Sequence, residues 1–189
     1  PGWPNDTSTI YKVHQELIKQ KKIHGVELVN GFEFYPIAFN FCKDYNLTYM
    51  GNTDIHGVYN QTYRTDKQYG PMTIVFAHER SAEGIKEALF ANRSVVKFGD
   101  MLIGSENNLK ALVKACLPYK IKSIKENEAI MEINNKSTLS FYMQLNNKTI
   151  SILGSSYVEF KIRLDDKIRF TNTFITDNCQ LEIEIAELK

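Results

Sequence analysis

The stretch Gly51-Asn52-Thr53-Asp54-Ile55-His56-Gly57 follows an apolar run, Leu47 to Met50, that is typical of a buried strand. Asp54 and His56 lie two residues apart, so strand geometry carried through the motif would project both side chains to one side. A carboxylate and an imidazole at the C-terminal end of a strand suit Zn, Mn or Fe, usually for hydrolysis. The flanking glycines allow a sharp turn and leave room beside the pair. The alternative is that Asp54 caps a turn and His56 is an ordinary loop residue.

Upstream and downstream of this motif, helical and strand patterns mostly alternate as far as Leu117. Such an order predicts a parallel sheet with covering helices, either open or closed into a barrel. A polar, tyrosine-containing loop from Val58 to Gly70 is longer than most connections and is typical of functional loops. The predicted elements, in order, are a helix from Thr9 to Lys22, a strand Val26–Val29, a helix from Pro36 to Asn46, strands 47–51 and 72–77, a helix capped by Ser81, a strand 95–98 and a helix 107–116.

After Pro118 the pattern changes to short alternating or β-branched runs separated by Asn, Asp and Gly turn residues. Seven such runs predict an antiparallel β-sandwich. They are 119–125, 129–134, 138–145, 149–153, 157–164, 168–176 and 180–188. We therefore predict two domains, 1–117 and 118–189.

Composition limits the classes of partner. The 189 residues are 43% apolar and 12% aromatic, with a formal net charge of +1. The densest basic cluster is only Lys19, Lys21 and Lys22, which argues against a nucleic-acid-binding surface. No run of eighteen apolar residues is present, so no membrane span is predicted.

The cysteines carry little information, and the first residues of the chain carry more. Cys42, Cys116 and Cys179 are odd in number and show no CxxC spacing, which predicts reduced, mostly buried thiols. The chain opens Pro1-Gly2-Trp3-Pro4 without Met, from which we expect that an N-terminal part of the protein is missing.

Four motifs occur together in a recognisable order. They are Gly25–Gly31 (GVELVNG), Asn52–Gly57 (NTDIHG), Pro71–Ala77 (PMTIVFA) and Ile85–Arg93 (IKEALFANR). This set resembles the polymerase and histidinol phosphatase (PHP) family of metal-dependent phosphoesterases, most of all the bacterial branch with a β-rich C-terminal tail. The resemblance covers residues 1 to about 117, with a looser match beyond.

The resemblance implies a fold and a metal centre. The fold would be the C-terminal part of a distorted (β/α)7 PHP-type barrel, followed by a small antiparallel β-sandwich. In this family, His, Asp and Glu at the strand C-termini hold two or three metals, variously Zn, Mn or Fe, and the last motif is an Asp-x-His. Asp54 and His56 would thus be the final two ligands. Pro1-Gly2-Trp3 resembles the segment just after another ligand, a His, and the earlier ligands would lie upstream.

Several other polar residues have an open role. Glu27 and Glu33 either face the same cleft as the pair or are solvated strand ends. Arg64 is a candidate substrate-binding residue because a guanidinium binds phosphate in a planar, bidentate way, although a surface role is the alternative. Arg80 is expected at the entry of a helix. Trp3 either walls the cleft or anchors the N-terminus.

The remaining histidines, His14, His24 and His78, match no ligand position and are expected to be structural or surface residues.

The predicted function is hydrolysis of a small phosphomonoester or phosphodiester by a metal-activated water, with this chain an incomplete and poorly active part of the enzyme. Two protein ligands alone do not make a catalytic site. The alternatives are a non-catalytic binding or scaffold module, in which the β-sandwich carries the interaction, and a pseudoenzyme. The expected partners are a small phosphate-ester substrate and the missing N-terminal part. The compartment stays open between bacterial cytoplasm and periplasm or envelope.

Overall fold

A computed structural model describes residues 6–59 and 70–185, which form a mixed α/β structure with four helices. The chain divides into two compact units, the first ending at Ser105 and the second beginning at Glu106. The first unit contains α1 (Lys12–Lys19), β1 (Gly25–Asn30), β2 (Glu33–Phe34), α2 (Pro36–Tyr45), β3 (Thr48–Asn52), β4 (Met72–Val75), α3 (Ala82–Phe90), β5 (Ser94–Phe98) and β6 (Met101–Gly104).

Local sequence signals account for the helices of the first unit. Pro36 occupies the first turn of α2, and Asn46 ends that helix in the left-handed conformation, with φ 52°. The Ser81 hydroxyl accepts a hydrogen bond from the Gly84 amide at 2.9 Å and so caps α3 as predicted. Helix α1 is shorter than its apolar spacing predicts, and none of its residues is buried.

The strands of the first unit are only partly parallel, which corrects the sequence expectation. β1 pairs with β3 in parallel, whereas β2 pairs with the end of β1 antiparallel. β4, β5 and β6 form an antiparallel series. Val75 at the end of β4 lies opposite Ser94 at the start of β5. Helix α3 therefore connects two neighbouring antiparallel strands at the same end of the sheet. Alternating helices and strands therefore do not produce a fully parallel sheet here, and a closed barrel remains a prediction.

Side-chain hydrogen bonds join the β1–β3 pair to the antiparallel strands. The Thr73 hydroxyl accepts from the Gly51 amide at 3.0 Å and lies 3.1 Å from the Gly51 carbonyl oxygen, to which it donates. The Ser94 hydroxyl donates to the Tyr49 carbonyl at 2.8 Å. The apolar core of this unit includes Leu28, Val29, Phe39, Val95, Val96, Leu102 and Ile103, and the polar side chains of Thr48 and Ser94 are buried with it.

In its described part, residues 106–185, the second unit has one helix and seven antiparallel strands, and all seven predicted strands are present. They form two sheets, in the orders β7-β8-β11 and β10-β9-β12-β13. Whether these sheets form a sandwich remains a prediction. The elements are α4 (Glu106–Cys116), β7 (Tyr119–Lys125), β8 (Glu128–Asn134), β9 (Phe141–Leu145), β10 (Lys148–Ile152), β11 (Tyr157–Arg163), β12 (Lys167–Thr176) and β13 (Cys179–Glu184).

The division into units differs from the predicted boundary at residue 117 by one helix. α4 buries Leu109, Leu112 and Val113 and packs against β12 and β13, so it joins the second unit. The sequence prediction placed α4 in the first domain because this helix follows directly after an alternating pattern of helices and strands.

The described residues contain no helix that is long and apolar enough to cross a membrane. All three cysteines are free thiols; Cys42 and Cys116 are buried, and Cys179 is exposed.

Candidate functional site

The candidate site lies just beyond the C-terminal end of β3. That strand ends at Asn52, and Asp54 adopts a left-handed backbone conformation with φ 48°. Strand geometry therefore does not continue through the motif. The sequence prediction that Asp54 and His56 point to the same side of a strand assumed that it does. Asp tolerates this conformation better than most residues.

The two predicted ligands nevertheless meet. Asp54 Oδ1 lies 3.4 Å from His56 Nε2. The side chains are 58% and 89% exposed, respectively, so the pair faces solvent instead of a closed pocket. The turn after β3, and not the alternation of a strand, brings the carboxylate and the imidazole together.

A carboxylate and an imidazole are side-chain types that divalent transition metals use as ligands. A protein site needs at least three ligands. Across residues 6–59 and 70–185, however, no group of three or more His, Cys, Asp or Glu side chains could hold a metal ion. Asp54 and His56 alone therefore supply fewer ligands than a metal site requires.

The glycines at the two ends of the motif differ in role. A Cβ on Gly51 would lie 2.4 Å from Val96 Cγ1, so this glycine permits close packing of β3 against β5. A Cβ on Gly57 would meet nothing within 4 Å. The first glycine is required by packing and not, as the sequence suggests, by a turn.

Glu27 connects the end of β3 to β1. Its carboxylate accepts hydrogen bonds from Asn30 Nδ2 at 3.0 Å and from Asn52 Nδ2. Asn52 lies two residues before Asp54, so Glu27 fixes the strand end from which the candidate ligands project. Glu27 is exposed. It lies beside β3 because β1 pairs with β3, which the sequence pattern does not show.

Glu33 is exposed and accepts a hydrogen bond from the Tyr35 hydroxyl. That hydrogen bond raises the pKa of Tyr35, and the negative charges of Glu33, Asp6 and Glu27 act in the same direction. The electrostatic potential around Tyr35 is therefore negative. Glu33 has a local partner and does not reach the Asp54–His56 pair through any described contact.

The other histidines have roles away from the pair, as predicted. His14 Nδ1 accepts a hydrogen bond from the Tyr11 amide at 3.3 Å. The His24 ring packs against Phe90, with ring centroids 4.2 Å apart. His78 and Arg80 line a hollow before α3, so Arg80 lies at a helix entry as predicted. Arg64 and Trp3 lie outside the described residues, and their roles remain predictions.

Comparison with known proteins gives one relevant structure. No family model matches the chain, and no curated protein matches it significantly. The chain is similar to the crystal structure of a two-domain protein from Bacteroides vulgatus that contains a predicted PHP-like metal-dependent phosphoesterase. The TM-score is 0.85 and the sequence identity 27% over 94% of this chain. This chain is PHP-like in fold at a coarse level. It spans 57% of the length of that neighbour.

Proposed function

We propose that the protein is a metal-dependent phosphoesterase that hydrolyses a small phosphomonoester or phosphodiester, and that these 189 residues are an incomplete part of it. The observation that supports this function is the 3.4 Å approach of Asp54 to His56 at the end of β3. The similarity to a predicted PHP-like metal-dependent phosphoesterase supports the same reaction class and a metal cofactor in general.

The proposed roles follow from the chemistry of the two side chains. Asp54 would supply carboxylate oxygens and His56 a neutral imidazole nitrogen to Zn, Mn or Fe. Such a metal, when bound, supplies a water of lowered pKa and neutralises charge on phosphoryl oxygens. Glu27, through Asn52, would hold the strand end that carries the pair. Arg64 would bind the substrate phosphate, and the further metal ligands would come from outside the described residues.

Metal content and activity of the protein made from its whole reading frame test the proposal. We expect two or three metals per chain and hydrolysis of p-nitrophenyl phosphate or bis-p-nitrophenyl phosphate. Asp54→Asn should lower metal affinity by more than the roughly 10–100-fold that follows loss of an outer-sphere partner. Its folding should be unchanged, because Asn also tolerates the left-handed conformation.

Asp44→Asn is the matched control. Asp44 is exposed near the end of α2, before β3 begins, and its loss removes the same charge. We expect wild-type metal content and activity for this variant. Full metal content and full activity in Asp54→Asn would refute the assignment, and a metal-free whole protein would favour the binding-module alternative. The 189-residue chain alone should hydrolyse little.

A further inference from the structure

The C-terminal ends of β1 and β3 lie at the same edge of their sheet, because these two strands pair in parallel. Asn30 at the end of β1 is opposite Asn52 at the end of β3, and the Gly31 amide donates a hydrogen bond to the Asn52 carbonyl at 2.9 Å. The loop that follows β1 therefore starts beside the strand end that leads to Asp54. In α/β proteins, ligands bind at this edge and contact the loops that leave the strands.

Both loops that leave this edge carry large apolar side chains that are exposed. In the tip between β1 and β2, Phe32 is 61% exposed. In the loop after β3, Val58 and Tyr59 follow His56 by two and three residues, and both are exposed. Exposed apolar side chains that are grouped in this way are typical of ligand-binding surfaces, whereas single scattered ones need no explanation.

The same edge also carries two exposed carboxylates. Glu33 on β2 lies opposite Asn30 at the end of β1. The Glu27 carboxylate accepts hydrogen bonds from the Asn30 and Asn52 side chains. The hydrogen bond that Glu33 accepts from Tyr35 raises the pKa of Tyr35, and the charges of both carboxylates act in the same direction. The electrostatic potential at this edge is therefore negative, which disfavours the approach of a further acidic group.

We propose that the phosphate ester hydrolysed at this site carries an aromatic ring without an acidic substituent, and that this ring packs on Phe32 while the phosphate lies at the Asp54–His56 pair. Two rings attract each other in edge-to-face or offset geometry beyond the effect of their apolar area, so Phe32 favours an aromatic group over a small alkyl group. The absence of an acidic substituent avoids repulsion by Glu27 and Glu33.

The inference rests on the proposed function and names the class of alcohol that the hydrolysis releases. Water supplies the oxygen that bonds to phosphorus as the ester phosphorus–oxygen bond breaks, and the released aromatic alcohol takes one proton from that water. Phe32 touches only the organic part of the ester, so its loss should change substrate preference and leave the metal content as it is.

Hydrolysis of benzyl phosphate and methyl phosphate by the protein made from its whole reading frame tests the contact with Phe32. The alcohols of these two esters have similar acidity and differ by the ring. Phe32→Ala should lower kcat/KM for benzyl phosphate roughly three- to tenfold, the value of an aromatic contact, and leave methyl phosphate within about twofold. Phe32→Leu, which keeps apolar bulk without the ring, should change the ratio in the same direction. Phe32→Tyr keeps the ring and should keep the wild-type ratio.

Phe90→Ala is the matched control. Phe90 is a phenylalanine of the same unit and is 54% exposed, but its ring packs on His24, just before β1 begins. It therefore lies at the opposite end of the strand pair from Phe32, and its loss should change hydrolysis of neither ester. An unchanged ratio of the two kcat/KM values in Phe32→Ala and Phe32→Leu would overturn the inference and leave the proposed function standing. A protein without metal that hydrolyses neither ester would overturn the proposed function, and the inference with it.

The charge of the substrate is tested with 4-carboxybenzyl phosphate. We expect kcat/KM for this ester to be about two- to fivefold below that for benzyl phosphate, the size of an interaction between exposed charges. Glu33→Gln should narrow this difference. Asp44→Asn, which removes an exposed charge near the end of α2, should not narrow it. An equal kcat/KM for both esters, or a difference that Glu33→Gln leaves unchanged, would overturn the exclusion of acidic substituents.

Discussion

Replacement of Gly51 by Ala tests how the candidate site is supported. The added Cβ would lie 2.4 Å from Val96 Cγ1, whereas ordinary contacts begin at 3.4 Å, so the two strands must separate by about 1 Å. Val96 is fully buried, and its branched side chain has little rotamer freedom to move aside. Overpacking of this kind costs about 1–3 kcal/mol.

The sign of the effect makes this substitution informative. In a strand without the close contact, Gly→Ala stabilises a protein by about 0.4–1 kcal/mol, because it reduces the freedom of the unfolded chain. We expect Gly51→Ala to lower the free energy of unfolding, measured by urea titration with far-ultraviolet circular dichroism. Gly57→Ala is the matched control, since a Cβ there meets nothing within 4 Å, and its effect should stay within about 0.5 kcal/mol.

A double-mutant cycle identifies Val96 as the cause. Val96→Ala alone should cost about 1.5–3 kcal/mol, the value of burying a valine side chain. Because it also removes the Cγ1 atom that meets the new Cβ, Gly51→Ala should cost much less in its presence, with a coupling of about 1–2 kcal/mol. Strict additivity, or a Gly51→Ala variant as stable as the wild type, would refute the close-packing explanation.

Two further predictions concern the thiols and the pH dependence of the β-rich unit. Burial raises the pKa of Cys42 to about 12, so at pH 8 iodoacetamide should label exposed Cys179 at least ten times faster than Cys42, and Cys179→Ser should remove the fast phase in mass spectra. Lys122 Nζ lies 3.1 Å from Glu132 and 2.5 Å from Glu159, and its hydrogen bonds lower the pKa of both carboxyls below their usual 4.5. Their contribution to stability is present above pH 4.5 and is lost as the pH falls through the lowered values. Lys122→Met should therefore lose less stability than the wild type between pH 5 and 3 in urea titrations, and an identical acid dependence would contradict this assignment.

Local chemistry accounts for much of what could be predicted from the sequence. Pro36, Asn46 and Ser81 mark helix ends at the positions where the structure has them. The turn residues after 118 separate seven strands that all form. These signals act within a few residues of the chain, so they can be read without knowing the partners of each element. Strand β2 was missed because two residues are too few to show any alternation, and β6, Met101–Gly104, was missed as well.

Only the tertiary structure decided which strands pair and what the motif residues contact. Alternation of apolar residues shows which side of a strand faces a core, but it does not show which strand lies alongside. The alternating order of helices and strands therefore led to the expectation that β4 and β5 are parallel. The same limit hid the contact of Gly51 with Val96 and the hydrogen bond from Asn52 to Glu27.

For the candidate site, the sequence by itself predicted Asp54 and His56 as metal ligands from the chemistry of their side chains, and that role stays a prediction. Their approach to 3.4 Å depends on a left-handed turn at Asp54, which a side-chain pattern does not encode. The sequence thus determined which elements form and which donors stand at the end of β3. The tertiary structure determined how those elements pair and how the donors meet, because both depend on contacts between residues far apart in the chain.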